Sequence, residues 1–130
     1  MTKRRSIRGQ QGQTMTEFTI VLPVLVLLVF GVIQFGIAFN NYLALTDAAR
    51  AGARKAAVSR LSGDGSGAAT DAVRAAAADL DQSNLDVSVS SSWQQGSNVT
   101  VSATYPYSIS LLGLIVKSGR LNTTVTERVE

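Results

Sequence analysis

At 130 residues the chain has room for one modest domain, and part of its length is an apolar segment that adds nothing to a water-facing core. It has no Cys and no His, which excludes a disulfide framework, a Cys/His zinc site, a Cys nucleophile and a His base. The net charge of +3 is concentrated at one end: Lys3, Arg4, Arg5 and Arg8 stand in residues 1–12 without an acid, so the basic balance points to a membrane-topology signal and away from nucleic acid.

Residues 1–12, MTKRRSIRGQQG, show no apolar periodicity and read as a disordered basic leader. Residues 18–39 then carry no charged side chain, and only Thr19 and Gln34 are clearly polar. As a helix this stretch is about 33 Å long, enough to cross a hydrocarbon core of about 30 Å. The chain is too short to surround such a helix with protein, so residues 18–39 are predicted to lie in a lipid bilayer. Basic residues precede the span, and none follows it until Arg50; the positive-inside rule puts the N-terminus in the cytoplasm and the remainder outside. A cleaved secretory signal is the competing reading, but its apolar core is usually shorter and ends at a small-residue cleavage site. Here the apolar run continues into NNYLALTDAARAGARKAAVSRL, rich in helix formers. One helix is therefore expected over about residues 13–61, half in lipid and half in water.

SGDGSG (62–67) is predicted to end that helix, and AATDAVRAAAADL (68–80) to form a second one with Val73, Ala76, Ala77 and Leu80 on one stripe. DQSN (81–84) breaks it. The period then becomes two: Leu85, Val87 and Val89 alternate with polar residues, QQGSN (94–98) is a turn, and Val99, Val101 and Ala103 alternate again, as in a β-hairpin. A last strand is predicted over residues 121–129. YPYSISLLGLIVKSGR, between the hairpin and that strand, has no firm assignment. The fold class is a membrane-anchored α+β protein: a long N-terminal helix, transmembrane in its first half, a second short helix, and an antiparallel sheet of about three strands. Residues 62–130 form the small extracytoplasmic domain.

Several residues admit two readings. Glu17 near the edge of hydrocarbon is costly unless paired, yet Thr14-x-x-Glu17 also fits a capping box at a helix start. Pro23 removes one helical hydrogen bond, which either kinks the span for a purpose or is tolerated there. Ala48, Gly52 and Ala56 recur every four residues, a stripe suited to a subunit contact or to the domain's own sheet. Gly31 and Gly36 are read as packing residues, and Gln34 as a candidate interhelical amide. Arg50, Arg54 and Lys55 are read as solvated or lipid-facing. Trp93, Tyr105 and Tyr107 are read as core or hairpin aromatics. Asp64, Asp79, Asp81 and Asp86 lack calcium-loop spacing and are turn or capping acids; no metal site and no cofactor is expected. Without His or Cys, no acid pair stands beside a nucleophile at a convincing spacing, and the chain is not expected to be an enzyme.

The cluster Gly12, Gln13, Glu17 and Phe18 at the start of the apolar run resembles a prepilin processing site. More narrowly, GQTMTEFTIVLPVLVLLVFGVIQFGIAFNNYLALTDAARAGARKAA resembles the TadE-like minor pilins of the tight-adherence (Flp) pilus system. The matching features are the G-Q-x-x-x-E-F start, the Pro in the span, the F-G-x-x-x-F-G pair and the D-A-A-R-x-G-A-R segment. The resemblance implies cleavage after Gly12 by a prepilin peptidase, so that Gln13 becomes the first residue of the mature chain. It implies that Glu17 and Phe18 set the register of helices during assembly. It implies as partners the peptidase, the major pilin and other minor pilins, the inner-membrane assembly platform and the lipid bilayer. The location implied is the cytoplasmic membrane as a single-pass protein, with incorporation into a surface pilus. Gln13 stands where many type IV pilins carry Phe, and an N-terminal Gln can cyclise. An uncleaved, signal-anchored binding module is the alternative function.

Overall fold

The computed structural model describes residues 8–111 and 113–130; Lys3, Arg4 and Arg5 lie outside the described residues, as do the side chains of residues 8–11. Helix α1 runs unbroken over Arg8–Val58. A single 3₁₀ turn, Arg60–Ser62, leads to helix α2, Gly65–Ala76. Strands β1 (Asp86–Ser91), β2 (Asn98–Leu111) and β3 (Leu114–Arg128) follow. They form one antiparallel meander in the order β1-β2-β3, with Val89 opposite Val101 and Val101 opposite Val125.

The expected α+β architecture of one long helix, one short helix and three strands is present; several boundaries differ. The leader is not irregular throughout, because α1 already includes Arg8, Gln10, Gln11 and Gly12. Adding a residue to an existing helix costs far less than nucleating one, and Arg and Gln are good helix formers. Thr14 and Glu17 consequently sit inside the helix and not at its start. At the other end α1 stops at Val58. The hydroxyl of Ser59 donates to the carbonyl of Lys55 at 2.6 Å, and Gly63 takes a left-handed φ of 75° that turns the chain.

α2 begins inside the Gly-rich run and stops before residue 80. Asp64 is its N-cap, accepting from the amide of Gly67 at 2.9 Å. A Cβ on Gly65 would collide with the ring of Trp93, so the glycine admits a close approach that a larger residue would prevent. Beyond Ala76 the Gln82 side chain donates to the carbonyl of Ala77 at 2.8 Å and ends the helix. Ala76, expected on the packed stripe, is exposed; Ala69, Val73, Ala77 and Leu80 are buried.

The unassigned stretch after Tyr105 is the long end of the β2–β3 hairpin, and β3 starts at Leu114, seven residues before the expected strand. A register shift between Ile109 and Ser110 lies near its tip.

The core lies where α1, α2 and the inner sheet face meet. Leu45, Ala48, Ala49 and Ala53 of α1 pack with Val73, Ala77, Leu80, Leu85, Val101 and Ala103. Ala56 and Ala57 continue the seam against Ala69, Val99 and Val129. The outer face is covered by hydroxyls, with Thr100–Thr126 at 3.2 Å and Ser102–Thr124 at 3.0 Å as cross-strand pairs.

A Cβ at Gly52 would overlap the side chain of Val73 and press on the carbonyl oxygen of Ala69 at 3.1 Å. Gly52→Leu is therefore expected to destabilise the domain by roughly 1–3 kcal/mol through overpacking. The thermal midpoint of the detergent-solubilised protein, followed by circular dichroism, should drop by roughly 5–20 °C. Asp81 gives a pH signature. The hydroxyl and amide of Ser83 and the amide of Asn84 donate to its carboxylate and hold it below the usual carboxylate range. A depressed folded-state value stabilises the fold above the ordinary Asp value of 3.8, and that contribution is lost as pH falls through the depressed one. Asp81→Ala should thus melt below the parent at neutral pH, and the gap should close on acidification.

Candidate membrane anchor and processing site

The first half of α1 touches little else in the protein. Phe18, Ile20, Val21, Val24, Leu28 and Val32 are all exposed, as are the other large apolar side chains of residues 18–39. Within Gly12–Val58 the most apolar window has a mean hydropathy of 2.7 and none of it is buried. In water such a surface is strongly unfavourable, at about 25 cal/mol for each Å² of apolar area. A bilayer removes that cost and satisfies the length condition as well. The helix keeps its own polar atoms bonded: Thr16 donates to the carbonyl of Gly12 at 2.9 Å and Thr19 to that of Met15 at 2.8 Å. Pro23 sits inside the continuous helix without ending it. It has no N–H for the carbonyl of Thr19, the one bond its ring removes from the ladder.

At the start of the span Gly12 is exposed and helical, with nothing near the position a Cβ would take. The amide of Gln13 donates to the carboxylate of Glu17 at 3.1 Å, one helical turn on. Glu17 and Phe18 both face outward. Glu17 thus has a neutral local donor and no ion-pair partner among the described residues. Gly31 and Gly36 also have open space around them, so within one chain they pack against nothing. Gln34 is half-buried, because β2 passes alongside it at Tyr105, Pro106, Tyr107 and Ser108.

The stripe Ala48, Gly52 and Ala56 is occupied by the protein's own domain: Ala48 and Ala56 have no exposed surface, and Gly52 lies against α2. Arg50, Arg54 and Lys55 point away from it; Arg50 pairs with Asp47 at 3.2 Å in an exposed bridge that adds little. Trp93 packs beside Ala56 and Val99 and over Gly65. It does so at a positive φ of 55°, held by its amide donating to Ser91 Oγ at 3.1 Å. Tyr105 accepts from the amide of Asp81 at 3.3 Å, and Tyr107 lies across Gly119. Asp86 pairs with Arg120. Asp64 is the α2 cap, and Asp79 is exposed. Among the described residues no group of three His, Cys, Asp or Glu side chains could hold a metal ion.

No local sequence pattern groups the aromatic residues at the C-terminal end of the apolar stretch. Phe35 and Phe39 stack with centroids 6.3 Å apart and, with Tyr42, Tyr107, Ile109, Lys117, Arg120 and Leu121, line a groove of about 440 Å³ between α1 and the hairpin. The run LLGLIVK was the available signal: consecutive apolar residues ending in a cation, with no strand alternation.

These features define an α+β domain carried on one long helix that is apolar and long enough to cross a membrane. Residues 12–54 match the family model described as TadE-like protein, and this segment contains the G-Q-x-x-x-E-F start, the Pro in the span, the F-G-x-x-x-F-G pair and the D-A-A-R-x-G-A-R segment that carry the resemblance. No curated protein and no solved structure matches the chain.

Insertion can be tested directly. Arg at the centre of a spanning helix costs about 3 kcal/mol per residue. The parent protein is expected to remain in the membrane pellet after alkaline carbonate extraction, and the pair Leu25→Arg with Leu28→Arg to move it into the supernatant.

Proposed function

We propose that this chain is a minor pilin, or pseudopilin, of a tight-adherence pilus system. It is made with a basic leader, trimmed after Gly12 by a prepilin peptidase on the cytoplasmic side, retained in the cytoplasmic membrane by α1, and drawn into the pilus or its initiation complex. The observation that carries this reading is the TadE-like match from Gly12 through the apolar span to the packed stripe. It coincides with a helix that presents Gly12, Glu17 and Phe18 on its free surface.

The chemistry at residues 12 and 13 belongs to the peptidase: water adds across the amide bond, leaving a carboxylate on Gly12 and an amine on Gln13. Gly12 suits that step. It presents no side chain to the approaching enzyme, and Gly is among the weakest helix formers, so the local unwinding that exposes a scissile bond is cheap there. Cleavage also changes the surroundings of Glu17. In the uncut chain its carboxylate accepts from the Gln13 amide. Afterwards Gln13 carries a new terminal amine, and Glu17 falls in the first turns of the shortened helix, where the dipole favours an acid. A carboxylate at the edge of hydrocarbon gains most from a cation, and the amine of a neighbouring subunit is a cation at the same depth. Pairing of that kind would fix the axial register between helices. Gly31 and Gly36, open within one chain, are places where another helix can approach closely. The partners in this reading are the peptidase, the major pilin and other minor pilins, and the inner-membrane assembly platform.

Intact mass of the protein extracted from membranes of its native host tests the reading. The expected species begins at Gln13, with or without loss of ammonia by cyclisation, and Gly12→Leu retains the leader. A full-length species in cells with an active peptidase would instead favour the signal-anchored binding module. Glu17→Ala is expected to be trimmed normally yet to be depleted from sheared pili; unchanged incorporation would remove the register role.

A further inference from the structure

The end of the β2–β3 hairpin breaks the pattern of the rest of the sheet. Along β2 one face is apolar, buried at Val99, Val101 and Ala103 and half-buried beyond, and the other is polar. At the tip the polar face gains an apolar residue. Leu111 pairs with Leu114, and Ser110 with Ile115, after the register shift. Leu114, Ile115 and Val116 are consecutive, and they are 74%, 70% and 62% exposed. Three adjacent exposed apolar residues at a hairpin end are unfavourable in water and mark a contact surface.

Two contacts fix where this tip lies along α1. The amide of Glu130 bonds the carbonyl of Ala57 at 3.2 Å, and Thr123 meets Thr46 at 3.4 Å. Between them β3 advances about 23 Å while α1 advances about 17 Å, so about 0.7 of the strand length projects on the helix axis. Continuing β3 from Thr123 to Leu114 carries the tip about 20 Å further, to the level of about residue 32 of α1. The groove agrees, since Ile109 and Lys117 line it together with Phe35 and Phe39. The tip is therefore level with the apolar span, about 10 Å inside its outer end at Phe39. Above it stand Tyr42, Tyr107, Lys117 and Arg120 at the groove. Tyrosines and cations with long apolar stems are the side chains that settle at the headgroup level of a bilayer. Arg120 is partly engaged by Asp86; Lys117 has no ion-pair partner among the described residues.

We propose that the β2–β3 hairpin is a second membrane-contacting element: Leu111, Leu114, Ile115 and Val116 enter the outer leaflet beside α1, and Lys117 and Arg120 meet lipid phosphate. The proposal rests on the reading that α1 spans the bilayer. It is favoured over a protein occupant because the apolar tip continues the lipid-facing surface of the span at the same depth, with cations placed where headgroup phosphates lie. Its effect is to hold the domain in one orientation against the membrane by two points.

The chain has no Cys, so one can be introduced at will. Ile115→Cys, Val26→Cys and Ser97→Cys, each labelled with an environment-sensitive fluorophore, are reconstituted at high lipid excess as full-length protein. The vesicles are phosphatidylcholine with phosphatidylglycerol. Labels at 115 and 26 are expected to lose most of their emission to bromine-bearing lipid and to resist aqueous iodide, and a label at 97 to do the reverse. A 115 label open to iodide while the 26 label is quenched by lipid would overturn the hairpin proposal and leave the anchor standing. A 115 label shielded from both quenchers would overturn it in favour of a second copy covering the tip. Iodide access at 26 would refute the anchor itself, and the hairpin proposal with it.

Discussion

One face of α1 supports the α+β domain. Leu45, Ala48, Ala49, Gly52, Ala53, Ala56 and Ala57 form a seam on which α2 and the sheet lie, and the sheet's inner side chains are small or β-branched to match. Such a seam allows close backbone approach but buries little area per residue. The domain therefore depends on the seam's length and cannot be separated from the helix that carries it. A cut after residue 39 would leave the seam intact; a cut after residue 58 would remove one wall of the core.

This dependence makes span and domain one object. The helix whose apolar side chains are exposed over residues 18–39 meets the rest of the protein over residues 45–57 without a break at Asn40 or Asn41. No flexible linker separates the apolar half of α1 from the domain, so the orientation of the domain follows the direction of the helix. The hairpin beside Phe35 and Phe39 belongs to the same geometry, because its path is set by contacts near Thr46 and Ala57.

The parts legible in the sequence are those governed by local regularity. Residues 18–39 stand out because charge is absent over a length that matches a bilayer. Ala48, Gly52 and Ala56 stand out because their spacing is helical, although spacing alone left the occupant of the stripe open between the sheet and another subunit. Val87, Val89, Val99 and Val101 stand out because their period is two. Parts decided by distant residues were not legible. The start of α2 lies in a run that reads as a turn, and its placement depends on the Trp93 ring over Gly65, far along the chain. Residues 105–120 gave no assignment because the run LLGLIVK in their middle lacks alternation and Pro106 interrupts the strand pattern. The grouping of Phe35, Phe39, Tyr42 and Tyr107 depends on the path of the hairpin, which no local pattern encodes. At the candidate site, the positions of Gly12 and Glu17 were legible from spacing, but the Gln13–Glu17 bond and the helix reaching back to Arg8 were not.

The continuity of α1 through Pro23 has a mechanical consequence. The helix is a stiff rod of about 75 Å, and the domain is fastened along its side, not at its tip. An axial pull on its N-terminal half loads the Ala48–Gly52–Ala56 seam in shear, with all of its contacts sharing the force at once. A chain built this way withstands a lengthwise pull with its domain still folded, whereas the same force applied sideways would peel the seam open one contact at a time.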